Sequence, residues 1–321
     1  MSPERARKQF ARFAWLVLAY NIPVILWGAY VRASFSGDGC GAHWPFCNGS
    51  VLPQHMVAPM AIEFTHRAMT SIDTVMVIGL CVWAFVVFPR KHAVRLYVVL
   101  SLVFLFVEAL LGAGLVLLRY VARDQSAGRV WYLSAHLTNT MLLLGTLTIT
   151  ACLASKNLER VQFRRVPGRL IAAPAVVVFV SITGVIAALG DMLYPVSSLG
   201  AGIQQDFSSA SSVLLRLRMV HPLIAILGAA YVIWAAWRIL NRGASGVARR
   251  TAVYVVTLTA FQLAVGAVNL SLLAPLWMQL SHLFVADLLW IFLIALVIET
   301  AASLDTAAGR DSLPAEVMHR I

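Results

Sequence analysis

Long apolar runs separated by short polar and basic segments dominate this chain. Eight can be drawn, at roughly 11–31, 60–88, 94–118, 131–154, 169–190, 213–239, 251–273 and 277–301. Each suffices to cross the ~30 Å apolar layer of a bilayer as a helix, and runs this long favour helices over barrel strands. The pattern predicts an all-α integral membrane protein with eight transmembrane helices. Composition agrees: of 321 residues, 60% are hydrophobic and 12% are charged. A soluble domain of that length has no means of hiding so much apolar surface, so the lipid bilayer is the expected solvent.

A formal charge of +11 in a soluble protein would point to nucleic acid. Here no basic patch interleaved with aromatics is present, so no nucleic-acid partner is expected. The basic residues instead report topology. Arg5, Arg7, Lys8 and Arg12 precede the first run, Arg90, Lys91 and Arg95 follow the second, Lys156, Arg160, Arg164, Arg165 and Arg169 follow the fourth, and Arg238, Arg242, Arg249 and Arg250 follow the sixth. The positive-inside rule makes that side cytoplasmic and places both termini there. The opposite side carries Arg32, Arg119, Arg123, Arg129, Arg216 and Arg218, and its loop 119–130 fits the rule least well. The first run has a basic flank like a signal peptide. It is too long for one and has no small-residue cleavage site after it, so it is expected to be retained.

The chain also repeats itself. Trp131-Tyr-Leu-Ser-Ala-His136-Leu opens the fourth run and Trp277-Met-Gln-Leu-Ser-His282-Leu the eighth. Glu108-Ala-Leu-Leu-Gly112-Ala is answered by Gln262-Leu-Ala-Val-Gly266-Ala, Trp27-Gly28 by Thr183-Gly184, and His66 by His221. Four runs per half is an even number, so both halves insert in the same direction. The expected fold is two pseudo-two-fold-related four-helix bundles, 1–155 and 169–303, joined by a cytoplasmic linker 156–168 and followed by a cytoplasmic tail 304–321. Gly112, Ala113, Gly114, Gly266 and Ala267 read as small residues that let helices approach closely.

Imidazoles inside apolar runs are costly. His66, His136, His221 and His282 all fall about 7–12 Å below the outer face at ~1.5 Å per residue. Two per bundle at matching depth suits the axial ligation of an iron porphyrin; the plainer alternative is an imidazole bonded to a neighbouring carbonyl. His43, His55, His92 and His319 are expected to be solvated. Arg216 and Arg218 just precede His221, and Arg32 ends the first run. Each suits a carboxylate such as a haem propionate, or simple snorkelling to the interface.

One carboxylate breaks the symmetry. Glu63 lies three residues before His66 and so shares its helix face, while the equivalent position in the second half is Arg218. A reacting porphyrin in the first pocket and a resident redox haem in the second would use that difference; a structural Glu63, paired with Arg67 or Arg32, is the alternative. Glu108, matched by neutral Gln262, reads as a proton-path residue or a helix-to-helix hydrogen bond. A single Glu-x-x-His is too few for a di-iron carboxylate bundle, which needs two and further carboxylates. Cys40 and Cys47 flank six residues in an outer loop, where a disulfide persists either as a staple or as a redox relay. Cys81 and Cys152 read as packed thiols.

The segments Gly28-Ala-Tyr-Val-Arg32-Ala-Ser-Phe-Ser-Gly, Cys40 through Trp44-Pro45-Phe-Cys47-Asn48-Gly49, and Glu63-Phe-Thr-His66-Arg67 resemble the signature of the haem A synthase family, and the four-histidine plan follows it over about residues 10–300. The second half is only loosely similar. The resemblance implies oxidation of the C8 methyl group of haem O to a formyl group, by two successive hydroxylations with oxygen from water, for assembly of haem-copper oxidases. It implies His66 and His136 as ligands at the substrate haem, His221 and His282 as ligands of a haem b cofactor, and Glu63 as a catalytic carboxylate. It further implies a bacterial inner membrane location, a haem O synthase and a membrane electron acceptor as partners, and leaves a homo-oligomer open. The rival readings are a bis-histidine electron-transfer protein of the cytochrome b type and a haem transporter. The latter needs an alternating-access path that the sequence does not display.

Overall fold

The computed structural model describes residues 2–208, 213–241 and 246–311, and no β-strand occurs among them. Eight long helices follow the apolar runs: α1 Pro3–Ala33, α2 Ala58–Val87, α3 Ala93–Leu117, α4 Ala127–Lys156, α5 Gly168–Leu193, α7 Val213–Leu240, α8 Gly246–Ser271 and α9 Leu276–Asp311. A short helix, α6 (Leu199–Phe207), lies between α5 and α7. All eight long helices are long and apolar enough to cross a membrane, so the chain is a multi-pass helical membrane protein.

Local chemistry sets the ends. Ser2 caps α1 by accepting from the Arg5 amide, with Pro3 in the first turn, where its missing N–H costs nothing. Ser126 caps α4 in the same way. Asn157 closes α4 in the left-handed region at φ 53°, a conformation that asparagine tolerates better than most residues. These caps carry α1 back to Pro3, well before its apolar run begins, and the basic residues of its first turns are good helix formers. At the other end α9 continues to Asp311, so the segment expected to form a tail from residue 304 begins as helix.

His92 also departs from expectation. It is buried rather than solvated: its Nδ1 accepts from the Val94 amide at 3.2 Å to cap α3, and its ring lies 4.5 Å from that of Phe88. The cap supplies a partner to an otherwise unpaired helix N–H, which outweighs imidazole hydration at this turn. Burial pushes its pKa below the ordinary histidine value.

Helices α1 to α4 pack around Phe10, Val17, Leu80, Val98 and Leu147, and α5, α7, α8 and α9 around Leu170, Ala235, Val255 and Leu293. The two groups meet along α4 and α9. The most apolar stretch of α4 is 78% buried inside the protein against 17% for α5, which makes α4 the centre of the assembly and α5 a lipid-facing helix. Lipid removes the hydrophobic drive for helix association, so packing and polar contacts hold this seam. Trp290 of α9 donates to the Met141 carbonyl of α4 at 2.8 Å, and its ring rests against Gly145. At the C-terminal end of α4, Lys156 pairs with Glu299 of α9 across the same seam at 2.7 Å.

Candidate functional site

Each of the four intramembrane histidines faces a glycine on the preceding membrane-spanning helix. His66 of α2 lies against Gly28 of α1, where an added Cβ would fall 2.9 Å from the imidazole Cε1. His221 of α7 meets Gly184 of α5 and His282 of α9 meets Gly266 of α8, each with the corresponding distance at 3.0 Å. His136 of α4 faces Gly112 of α3 less tightly, at 3.7 Å from Nε2. Any larger residue at the first three positions would collide with the ring. Within each half the two histidines lie close enough to interact electrostatically, His66 with His136 and His221 with His282.

The partners of the rings differ. His136 Nδ1 donates to Glu108 Oε1 at 2.7 Å. Asn139 donates to Glu108 Oε2 at 2.6 Å, and Thr140 donates to Oε1. His221 Nδ1 lies 2.9 Å from the Thr183 hydroxyl. The Gln262 amide nitrogen lies 3.2 Å from His282 Nε2 and donates to the His282 carbonyl at 3.1 Å. His66 Nδ1 and His282 Nδ1 are buried without a partner.

These features fit an iron porphyrin in each half. The orphaned Nδ1 atoms of His66 and His282 call for a water or another partner, and two buried imidazoles at matching places in each half are the donor set that an iron porphyrin takes. The glycine opposite each ring lets the imidazole pack against the backbone of the neighbouring helix. Among the described residues no three His, Cys, Asp or Glu side chains converge as a metal site of their own.

Above the first pair, Glu63 is buried and engaged on both oxygens. Its Oε2 accepts from the Cys40 amide at 2.8 Å, and its Oε1 pairs with Arg67. Of the two counter-ions considered from sequence, Arg67 is therefore the one hydrogen-bonded to it. The other guanidinium nitrogen of Arg67 donates to the carbonyls of His43, Pro45 and Phe46 at 2.9, 3.2 and 2.9 Å. Cys40 and Cys47 form a disulfide that closes this loop. Gly39 seats the loop on α2, since a Cβ there would fall 2.4 Å from the Pro59 carbonyl oxygen. His43 and His55 are exposed, as expected.

Among the described residues the second half has no disulfide-closed loop. Arg218 pairs with Asp191 at 3.2 Å and Asp206 at 2.5 Å, tying α5 and α6 to α7. Its charge is thus compensated within the protein. Arg32 lies in the electrostatic range of Arg129 of the first half and Asp191 of the second.

Two buried groups escaped the sequence reading. Asp73 lies about two turns deeper than His66 on α2 and accepts from Asn21 at 2.9 Å. A lone aspartate in an apolar run was the available signal. Arg129 looked like one more loop charge, yet it is 2% exposed and donates to the carbonyls of Ala122 and Asp124 at 2.8 and 2.7 Å, which organises the loop 119–130.

Residues 11–294 match the profile of the cytochrome oxidase assembly protein family, COX15-CtaA. The chain belongs to that family. Among curated relatives, a protein of Thermus thermophilus named protohaem IX farnesyltransferase is 38% identical over 319 residues, which cover 98% of this chain and 52% of that protein. The chain thus spans about half the length of this relative. Haem A synthases match over a shorter stretch. That of Geobacillus kaustophilus is 34% identical over 113 residues, 35% of each chain, and that of an Exiguobacterium species is 31% identical over 110 residues, 34% of this chain and 36% of its own. Family membership agrees with the resemblance carried by Glu63, His66, Arg67 and the cysteine loop.

Proposed function

We propose that this protein is a haem A synthase, which oxidises the C8 methyl group of haem O to a formyl group. The observation that carries this reading is the pair of unlike pockets: two histidine pairs on one steric plan, with Glu63 held by a disulfide-closed loop beside the first and Arg218 held by Asp191 and Asp206 beside the second. The haem A synthases among the relatives support it. In this reading each half is a four-helix unit with its own porphyrin. His66 and His136 hold the substrate and His221 and His282 hold a resident haem b, with Arg32, Arg216 and Arg218 on the outer side where propionates would lie.

The chemistry balances with water as the oxygen source. The methyl group and one water give a hydroxymethyl group, two protons and two electrons. A second water gives a geminal diol with two more of each, and the diol loses water to leave the formyl group. The resident haem supplies a one-electron outlet towards a membrane electron acceptor. Glu63 stabilises the positive charge that develops on the methyl carbon and receives a proton, an interaction stronger in the transition state than in the ground state. Arg67 and the Cys40 amide hold that carboxylate in place, and the loop above it excludes bulk water. A relative twice as long, named for farnesyl transfer to protohaem, contains a match to nearly all of this chain, which supports a partnership with an enzyme that makes haem O; the basic flanks support a bacterial inner membrane location with both termini in the cytoplasm.

The test is expression in a membrane with a source of haem O, followed by chromatography and mass analysis of extracted haems. Haem A or its hydroxymethyl precursor is expected. A folded, haem-loaded protein that returns only unaltered haem O would overturn the proposal and favour a bis-histidine electron-transfer protein.

A further inference from the structure

Glu108 is the group that the chemistry above leaves unused. It lies inside the membrane on α3, and its two oxygens meet three donors. His136 Nδ1 and Asn139 Nδ2 sit at 2.7 and 2.6 Å, and the Thr140 hydroxyl completes the set. Asn139 also donates to the Phe104 carbonyl at 2.8 Å, which fixes its amide with the NH2 group towards the carboxylate. A carboxylate ringed by donors acts purely as an acceptor. It holds the proton of His136 on Nδ1 and leaves the lone pair on Nε2, the nitrogen that faces Gly112.

The other three rings lack this. His221 has a neutral hydroxyl at Nδ1, His66 and His282 have no partner there, and the residue answering Glu108 in the repeat is the neutral Gln262. A carboxylate bonded to the far nitrogen of a ligating imidazole makes that imidazole a stronger, more anionic donor. A stronger donor stabilises the ferric over the ferrous state and lowers the reduction potential of the bound iron.

We propose that Glu108 is a positioning residue that acts through His136, fixing its ligating nitrogen and lowering the potential of an iron porphyrin in the first pocket relative to the second. This deepens the haem A synthase reading and rests on its assignment of His136 as a ligand. Each electron that leaves a ferrous iron in the first pocket for a ferric iron in the second is thereby driven outward, away from the porphyrin being oxidised.

The test uses the purified full chain with protohaem in both pockets, so that the two irons differ only in their protein surroundings. The first-pocket signal is the one lost in His66→Ala. In a spectroscopic redox titration, Glu108→Gln is expected to shift the first-pocket ratio of ferric to ferrous iron about tenfold towards ferrous, or about 59 mV for a one-electron couple. The second-pocket signal and the low-spin spectrum should stay unchanged. Glu108→Asp, which keeps the charge, should restore most of the shift. An unmoved first-pocket potential with both haems bound overturns the proposal. If Glu108→Gln loses the first haem, Thr183→Asp, which sets a carboxylate beside His221 Nδ1, decides: a second-pocket potential that falls supports the mechanism, and one that does not fall overturns it. A protein that fails to convert haem O yet shows the shift would sink the functional reading alone. One that converts haem O without the shift would sink this inference alone.

Discussion

The two histidine pockets share a steric frame and differ in their electrostatics. In both halves each imidazole faces a glycine of the preceding membrane-spanning helix, at near-equivalent places in the repeat. The polar neighbours differ: Glu63, Arg67 and Glu108 in the first half against Arg218, Thr183 and Gln262 in the second. The seating of the imidazoles is thus duplicated, while the charge beside them is not. A buried charge in a medium of low dielectric acts over several ångströms, so one or two substitutions suffice to give two like cavities unlike chemistry.

The sharpest way to break the comparison is at Glu63, the carboxylate answered by a cation in the second half. Glu63→Gln keeps the shape and the acceptor for the Cys40 amide but removes the charge. It is expected to lower haem A output by roughly two to four orders of magnitude, the usual range for a lost acid–base or charge-stabilising group, with both haems still bound. Extracted-haem chromatography and the absorbance spectrum together check it. Wild-type output would mean that Glu63 only anchors the loop.

The shared frame can be tested with a matched pair. Gly28→Leu and Gly184→Leu place a side chain where Cβ alone would fall 2.9 Å and 3.0 Å from an imidazole carbon. Each is expected to abolish one haem signal and spare the other, the first removing substrate binding and the second removing the resident haem. Loss of both signals from either variant would show that the halves do not bind independently. Haem-to-protein stoichiometry and spectra of the purified variants give the answer.

The helices were legible because in lipid every spanning segment must satisfy its own backbone, which forces long apolar runs. Their ends were less so, because caps such as Ser2 carry the helix past the apolar stretch. Glu63, the four histidines and the cysteine pair stood out as polar or reactive groups in repeated or closely spaced positions. The pairing of Gly28 with His66 did not, since the two lie on different helices and a glycine in a membrane helix more often serves helix packing. Glu108 shows the same gap: its sequence position was noted, yet only the approach of α3 to α4 brings it to His136. His92 was misjudged because a turn histidine looks solvated until the helix it caps is placed.

The smallest expected effect concerns the loop that marks the first pocket. Cys40 and Cys47 allow both a staple and a relay, and the hydrogen bonds around them separate the two. Glu63 accepts from the Cys40 backbone amide, and Arg67 reaches three backbone carbonyls of the loop; none of these contacts uses sulfur. A Cys40→Ala, Cys47→Ala double variant therefore keeps the fastening between loop and carboxylate and loses only the covalent closure. Short-loop closure contributes about 2–4 kcal/mol to stability in general, so thermal resistance should fall more than turnover, which should drop only a few-fold. Arg67→Lys provides the contrast, because an ammonium cannot present the fork that grips Glu63 and the carbonyls together. It should cut turnover about tenfold or more, with less effect on stability. Turnover and thermal unfolding measured side by side order the two variants. A double cysteine variant as inactive as Glu63→Gln, at full haem content, would make the disulfide a redox participant rather than a staple.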